Sequence, residues 1–183
     1  MKRILTIGAS SSLKSINVRL AKHISSLVSN AEIDLVDLND FEMPIYSIDR
    51  EADGMPEPAT RFKEHITKAD GIIISFAEHN GTYTTVFKNI LDWISRIEPK
   101  VWAQKPMLLT STSPGKNGGA TVLAAAVSGL PYLGANVIAS MPVPSFNEAF
   151  GEDGIKDMEI NDKLKAMANQ LTTAMAESKP QNV

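Results

Sequence analysis

Five short apolar runs, each separated from the next by a stretch of different periodicity, constrain this chain more than any other feature. Residues 2–8 carry Ile4-Leu5-Thr6-Ile7 and close on Gly8. The others are Ile33-Asp34-Leu35-Val36, Gly71-Ile72-Ile73-Ile74-Ser75-Phe76-Ala77, Met107-Leu108-Leu109-Thr110-Ser111 and Val137-Ile138-Ala139-Ser140-Met141. Short runs rich in β-branched residues and bounded by turn formers read as strands. The third is apolar on both faces, as in the middle of a parallel sheet. Between the runs the period changes. Ile16, Leu20, Ile24 and Leu27/Val28 share one helical face, and so do Val86, Phe87, Ile90, Leu91, Ile94 and Ile97. A helix over 157–176 aligns Ile160, Leu164, Met167, Leu171 and Met175. Further helices are expected over 59–69 and 120–133. Residues 39–58, rich in Pro and acid, read as a long loop, and 178–183 as a loose tail. No hairpin signal joins any two strands, so the pattern predicts an α/β fold with a five-stranded parallel sheet and helices on both faces.

With 183 residues and about 150 per domain, one domain is expected over 1–183, without repeat or linker. A net charge of −3 argues against a nucleic-acid-binding protein, which carries a basic footprint. The absence of cysteine excludes disulfides, thiolate nucleophiles and Cys-ligated metal centres. Residues 117–147 carry no charge and are long enough to cross a bilayer. Gly129, Pro131, Gly134 and Asn136 interrupt them, so a buried helix followed by a strand is the expectation. The apolar stretch after Met1-Lys2-Arg3 is too short for a signal peptide. A soluble, cytoplasmic chain without membrane insertion is expected.

In parallel α/β sheets, ligands bind beyond the carboxyl ends of strands where the strand order reverses. Three loops therefore matter. The first, Gly8-Ala9-Ser10-Ser11-Ser12-Leu13-Lys14-Ser15-Ile16-Asn17, runs from a strand into a helix. Hydroxyls and unpaired N–H groups at a helix N-terminus make an anion site. The same serines also read as a helix cap. The P-loop and Gly-x-Gly-x-x-Gly patterns are both absent. The second loop, Ala77-Glu78-His79-Asn80-Gly81-Thr82-Tyr83-Thr84-Thr85, contains an Asn-Gly turn signal. Adjacent Glu, His and Asn on a tight loop do not converge on one ion, so no metal site is expected. The third, Thr110-Ser111-Thr112-Ser113-Pro114-Gly115-Lys116-Asn117-Gly118-Gly119, could expose backbone N–H groups to a flat or anionic ligand, or be a flexible surface loop.

These motifs resemble, in order, those of the NADPH-dependent FMN reductase family of flavodoxin-like proteins. Ser15-Ile16-Asn17 after Gly8-Ala9-Ser10 is similar to the family's phosphate loop. Glu78-His79-Asn80-Gly81 followed by Lys88-Asn89-Ile90-Leu91-Asp92-Trp93-Ile94-Ser95-Arg96 is similar to its Glu-Tyr-Asn-Gly … Lys-Asn-x-Leu-Asp-Trp-x-Ser-Arg signature. Phe41-Glu42-Met43-Pro44-Ile45-Tyr46 resembles its Leu-Pro-x-Tyr segment. The chain departs from the pattern at Ser11, Ser12 and Lys14, where an Arg is usual. It departs again at His79 for Tyr, Ala77 for Pro, and Thr84-Thr85 for Pro-Gly. The resemblance runs to about Met141.

The resemblance implies a flavodoxin-like three-layer sandwich with noncovalent FMN, and NADPH or NADH as co-substrate. It implies that Ser10, Ser15, Ile16 and Asn17 hold the phosphate. Glu78, His79, Asn80 and Gly81 would lie along the isoalloxazine, and Ser113, Gly115, Gly118 and Gly119 would cover its pyrimidine edge. No catalytic side chain is expected, because the flavin carries hydride from NAD(P)H to a flavin, quinone or azo acceptor. The positive end of the helix after Gly119 would favour the reduced ring. The helix bearing Trp93 and Arg96 commonly pairs subunits in the family, implying a homodimer or homotetramer. An electron carrier without its own NAD(P)H turnover is the alternative.

Overall fold

The computed structural model describes residues 1–151 and 154–178. β1 (Lys2–Ala9) runs between β2 (Ala31–Val36) and β3 (Gly71–Phe76), and β4 (Pro106–Thr112) and β5 (Asn136–Val143) follow. The order is β2-β1-β3-β4-β5, and every neighbouring pair is parallel. The expected flavodoxin-like class is therefore observed. The direction of winding reverses at β1, whose two neighbours are β2 and β3.

Side-chain alternation divides the sheet between two cores. Ile4, Ile73 and Leu108 face α1 (Ile16–Ser26) and α7 (Met158–Glu177). Leu5, Ile7, Ile72, Ile74, Met107 and Leu109 face α3 (Glu57–Lys68), α4 (Thr85–Ile97) and α5 (Ala120–Gly129). Two more short helices complete the chain: α2 (Ile48–Ala52) and α6 (Phe146–Ala149). β3 and β4 are buried along their whole length. The edge strand β2 leaves Ile33 and Leu35 about two-fifths exposed (38% and 42%). One cap matches the sequence reading, Ser15 on α1; Thr84 and Asp157 likewise accept N–H groups of α4 and α7.

Several expectations need correction. Residues 39–58 are not one long loop. A 3₁₀ turn, Leu38–Phe41, is capped by Asp37, and α2 is capped by Ser47. No residue of α2 is buried, so it leaves no amphipathic trace. The helix expected to reach 133 stops at Gly129 and tightens into a 3₁₀ turn, Leu130–Leu133, where Pro131 lacks an N–H. Trp93, on the helix that the resemblance links to subunit pairing, packs in the core and is fully buried. Of the expected tail, Ser178 caps α7, and 179–183 lie outside the described residues.

Candidate functional site

The three loops meet at the carboxyl edge of β1, β3 and β4, around a cleft of about 220 Å³. Its walls include Ser10, Lys14, Ser15, Glu78, His79 and Ser113.

The first loop approaches α1 closely, because a Cβ on Gly8 would fall 2.5 Å from Val18 Cα. Ser10 Oγ accepts the Ser12 N–H at 3.1 Å, and Ser15 Oγ accepts the Val18 N–H at 3.2 Å. Both serines are buried. Among the described residues, the backbone N–H groups of Ile16 and Asn17 in the first turn of α1 have no protein acceptor. They are two adjacent donors at the positive end of a helix, next to the exposed Lys14. Asn17 is placed differently from the expectation. Its side chain turns inward: Oδ1 accepts from Ser75 Oγ (2.7 Å) and from Thr112 N–H (3.0 Å), while Nδ2 donates to the Thr112 carbonyl at 3.1 Å. One amide thus ties α1 to the ends of β3 and β4.

In the second loop, His79 and Thr82 exchange both backbone hydrogen bonds across Asn80 (φ 51°) and Gly81 (φ 77°). Two consecutive positive φ angles make the tight turn that Asn-Gly favours. His79 and Asn80 are exposed at its tip. Glu78, in the cleft wall, is anchored across to the third loop's helix: its Oε2 accepts the Val122 N–H of α5 at 2.9 Å. Thr84, besides capping α4, donates to the Ala9 carbonyl at 3.0 Å and so joins the second loop to the first.

In the third loop, Gly118 (φ 56°) and Gly119 (φ 73°) are both left-handed. A Cβ on Gly118 would sit 2.7 Å from the Val143 carbonyl carbon, so the position excludes any side chain. Gly115 and Ser113 lie on the open side. A fourth segment, unexpected from the sequence, holds this loop from below. The Ser145 and Phe146 N–H groups donate to the carbonyls of Gly115 and Ser113, each at 3.0 Å. Ser145 pays for this with a strained φ of 46°.

Residues 43–46 form a strap that α4 clamps. Asn89 Oδ1 accepts the Tyr46 N–H at 2.9 Å, and Trp93 Nε1 donates to the Pro44 carbonyl at 2.7 Å. The Tyr46 hydroxyl donates to Glu51 at 2.7 Å, and Arg96 Nε lies 3.0 Å from both Glu51 oxygens. The hydrogen bond to Glu51 raises the Tyr46 pKa, and the bonds from Tyr46 and Arg96 lower that of Glu51. A second cleft, about 440 Å³, lies between strap and α4 and reaches Ser11 of the first loop.

Among the described residues, no group of acidic or histidine side chains is arranged to hold a metal ion, and no helix is long and apolar enough to cross a membrane.

A doubly wound, all-parallel sheet in the order β2-β1-β3-β4-β5, with three loops gathered at its carboxyl edge, defines a flavodoxin-like protein. The chain belongs to the NADPH-dependent FMN reductase family, whose sequence model matches residues 2–148. It is 38% identical over 120 residues to a 2-hydroxy-1,4-benzoquinone reductase of a Burkholderia species, a match covering 64% of each chain. It is 34% identical over 108 residues to a quinone reductase of Pseudomonas putida, covering 58% of this chain and 57% of that one. The matches thus span less than two thirds of either relative. Among solved structures, the FerB flavoenzyme NAD(P)H:(acceptor) oxidoreductase of Paracoccus denitrificans superposes with a TM-score of 0.80 at 27% identity, covering 97% of this chain and 98% of that one.

Proposed function

We propose that this protein binds FMN in the three-loop cleft and acts as an NAD(P)H-dependent oxidoreductase on a small quinone-type acceptor. The observation that carries the reading is the pair of unpartnered N–H groups at Ile16 and Asn17 facing an otherwise capped, serine-lined turn. That donor set suits a dianionic phosphate.

In this reading the phosphate rests on the Ser10 and Ser15 hydroxyls and on the N–H groups of Ile16 and Asn17. Asn17 contributes through its backbone, since its amide is engaged inside. His79, Asn80 and Gly81 lie along the ring, with Glu78 behind them at the start of α5. Ser113 and Gly115 line the pyrimidine edge. Gly118 and Gly119 shape the loop that carries them. FMN, when bound, supplies two-electron chemistry between a reduced nicotinamide and the acceptor. The side chains bind and orient, and none acts as nucleophile or general base. The quinone class is supported by the names of both relatives.

The described chain then works as one FMN-binding domain. NAD(P)H as reductant fits a cytoplasmic location. A homodimer or homotetramer is supported by Ile45 and Ile48, 67% and 77% exposed on the strap and α2.

The test is an absorption spectrum of purified protein with added FMN, followed by steady-state oxidation of NADH and NADPH with and without benzoquinone. Bound flavin with quinone-dependent turnover is expected. Bound flavin without turnover would make the protein an electron carrier, and no bound flavin would end the FMN reading.

A further inference from the structure

Helix α5 lacks an N-terminal cap of its own. Its N-cap residue is Gly119, with no side-chain bond, and no acidic residue occupies its first turn. The cap comes from another loop: Glu78, 44 residues earlier, accepts the Val122 N–H at 2.9 Å. Glu78 is also the one carboxylate among the residues lining the three-loop cleft.

A carboxylate on the first turn offsets the partial positive charge of the helix end. The positive end of α5, expected from the sequence to favour reduced flavin, is therefore already neutralised. Reduction adds negative charge to the bound ring. A fixed carboxylate in the same cleft acts against that change.

We propose that Glu78 is a positioning residue that couples the second loop to α5 and, through its charge, holds down the reduction potential of bound FMN. The cost is weaker binding of the reduced cofactor, and the gain is a stronger reductant toward the acceptor. The inference rests on the FMN reading above and extends it to redox poise.

Glu78→Gln separates charge from hydrogen bonding, because the Gln carbonyl can still accept the Val122 N–H. Anaerobic redox titrations of FMN on wild type, Glu78→Gln and Glu78→Ala are run at one pH and ionic strength. Fluorescence titration gives the affinity for oxidised FMN. For Glu78→Gln, affinity for oxidised FMN should stay within about threefold, while binding of the reduced form improves about tenfold relative to it. That ratio raises the two-electron potential by about 30 mV. Glu78→Ala should also raise the potential, with a lower thermal midpoint because the cap is gone.

An unchanged or lower potential in Glu78→Gln overturns the inference and leaves Glu78 a structural cap only. Loss of oxidised FMN from that variant also overturns it, assigning Glu78 to binding instead of poise. Failure of the FMN reading looks different: wild type itself would take up no FMN, and the inference falls with it.

Discussion

The side-chain Oδ1 of Asn17 lies 3.0 Å from the backbone nitrogen of Thr112, 95 residues further along the chain. The same side chain takes the Ser75 hydroxyl and gives a hydrogen to the Thr112 carbonyl. All three residues are buried. Asn17→Ala strands a buried hydroxyl, N–H and carbonyl together. The expected loss is about 2–4 kcal/mol, since each unsatisfied buried group costs about 1–3 kcal/mol. Urea unfolding measures it, and a loss below about 0.5 kcal/mol would show that water replaces the amide at no cost.

Ser15 has two separable jobs. Its hydroxyl caps α1, and in the proposed function it also touches the phosphate. Asp caps a helix about as well as Ser, so Ser15→Asp should keep the thermal midpoint close to wild type. The added carboxylate should weaken FMN binding at least tenfold, about 1.4 kcal/mol. Fluorescence titration alongside thermal unfolding reads both. Unchanged FMN affinity would move the phosphate away from this loop.

Gly115 and Gly118 sit three residues apart on the same loop and should respond oppositely to Ala. At Gly118 a Cβ would meet the Val143 carbonyl carbon at 2.7 Å with φ at 56°, and backbone cannot swing aside as a side chain can. Left-handed backbone alone costs an L-residue about 1–2 kcal/mol. Gly118→Ala should therefore cost more than about 2 kcal/mol once the clash is added. At Gly115 the nearest atom is Ser113 Oγ at 3.8 Å. Gly115→Ala should stay within about 0.5 kcal/mol of wild type. Equal effects in chemical unfolding would contradict the described loop.

Asp70 supplies a pH dependence. Burial pushes its carboxyl up, but the Arg3 backbone N–H at 2.8 Å and the Lys2 ammonium at 3.0 Å outweigh burial, so its pKa lies below the ordinary value. A carboxyl depressed in the folded state contributes stability above its unfolded pKa, about 3.9 for Asp. That contribution disappears as pH falls through the folded pKa. The stability gap between wild type and Asp70→Asn should thus be constant near neutrality and shrink below about pH 4. Denaturant unfolding at pH 7, 5, 4 and 3 checks this. A gap that widens on acidification would reverse the sign of the shift.

The strands, the long helices and the parallel class were legible in the residues, because each is encoded locally. Apolar repeats set the buried faces of α1, α4 and α7, and a run apolar on both faces marked β3 as central. The Asn80-Gly81 turn was legible for the same reason: positive φ is a property of the residues themselves. The short α2 buries nothing and so left no periodic trace. What only the tertiary structure decided is which groups those loops spend on one another. Glu78 reaches α5 across 44 residues, Trp93 reaches Pro44 across 49, and Asn17 turns its amide inward to Thr112. Ser145 and Phe146 brace the third loop from a segment with no motif at all. No spacing announces such bonds. They form because a buried donor or acceptor left without a partner is costly once the sheet has brought distant chain segments together.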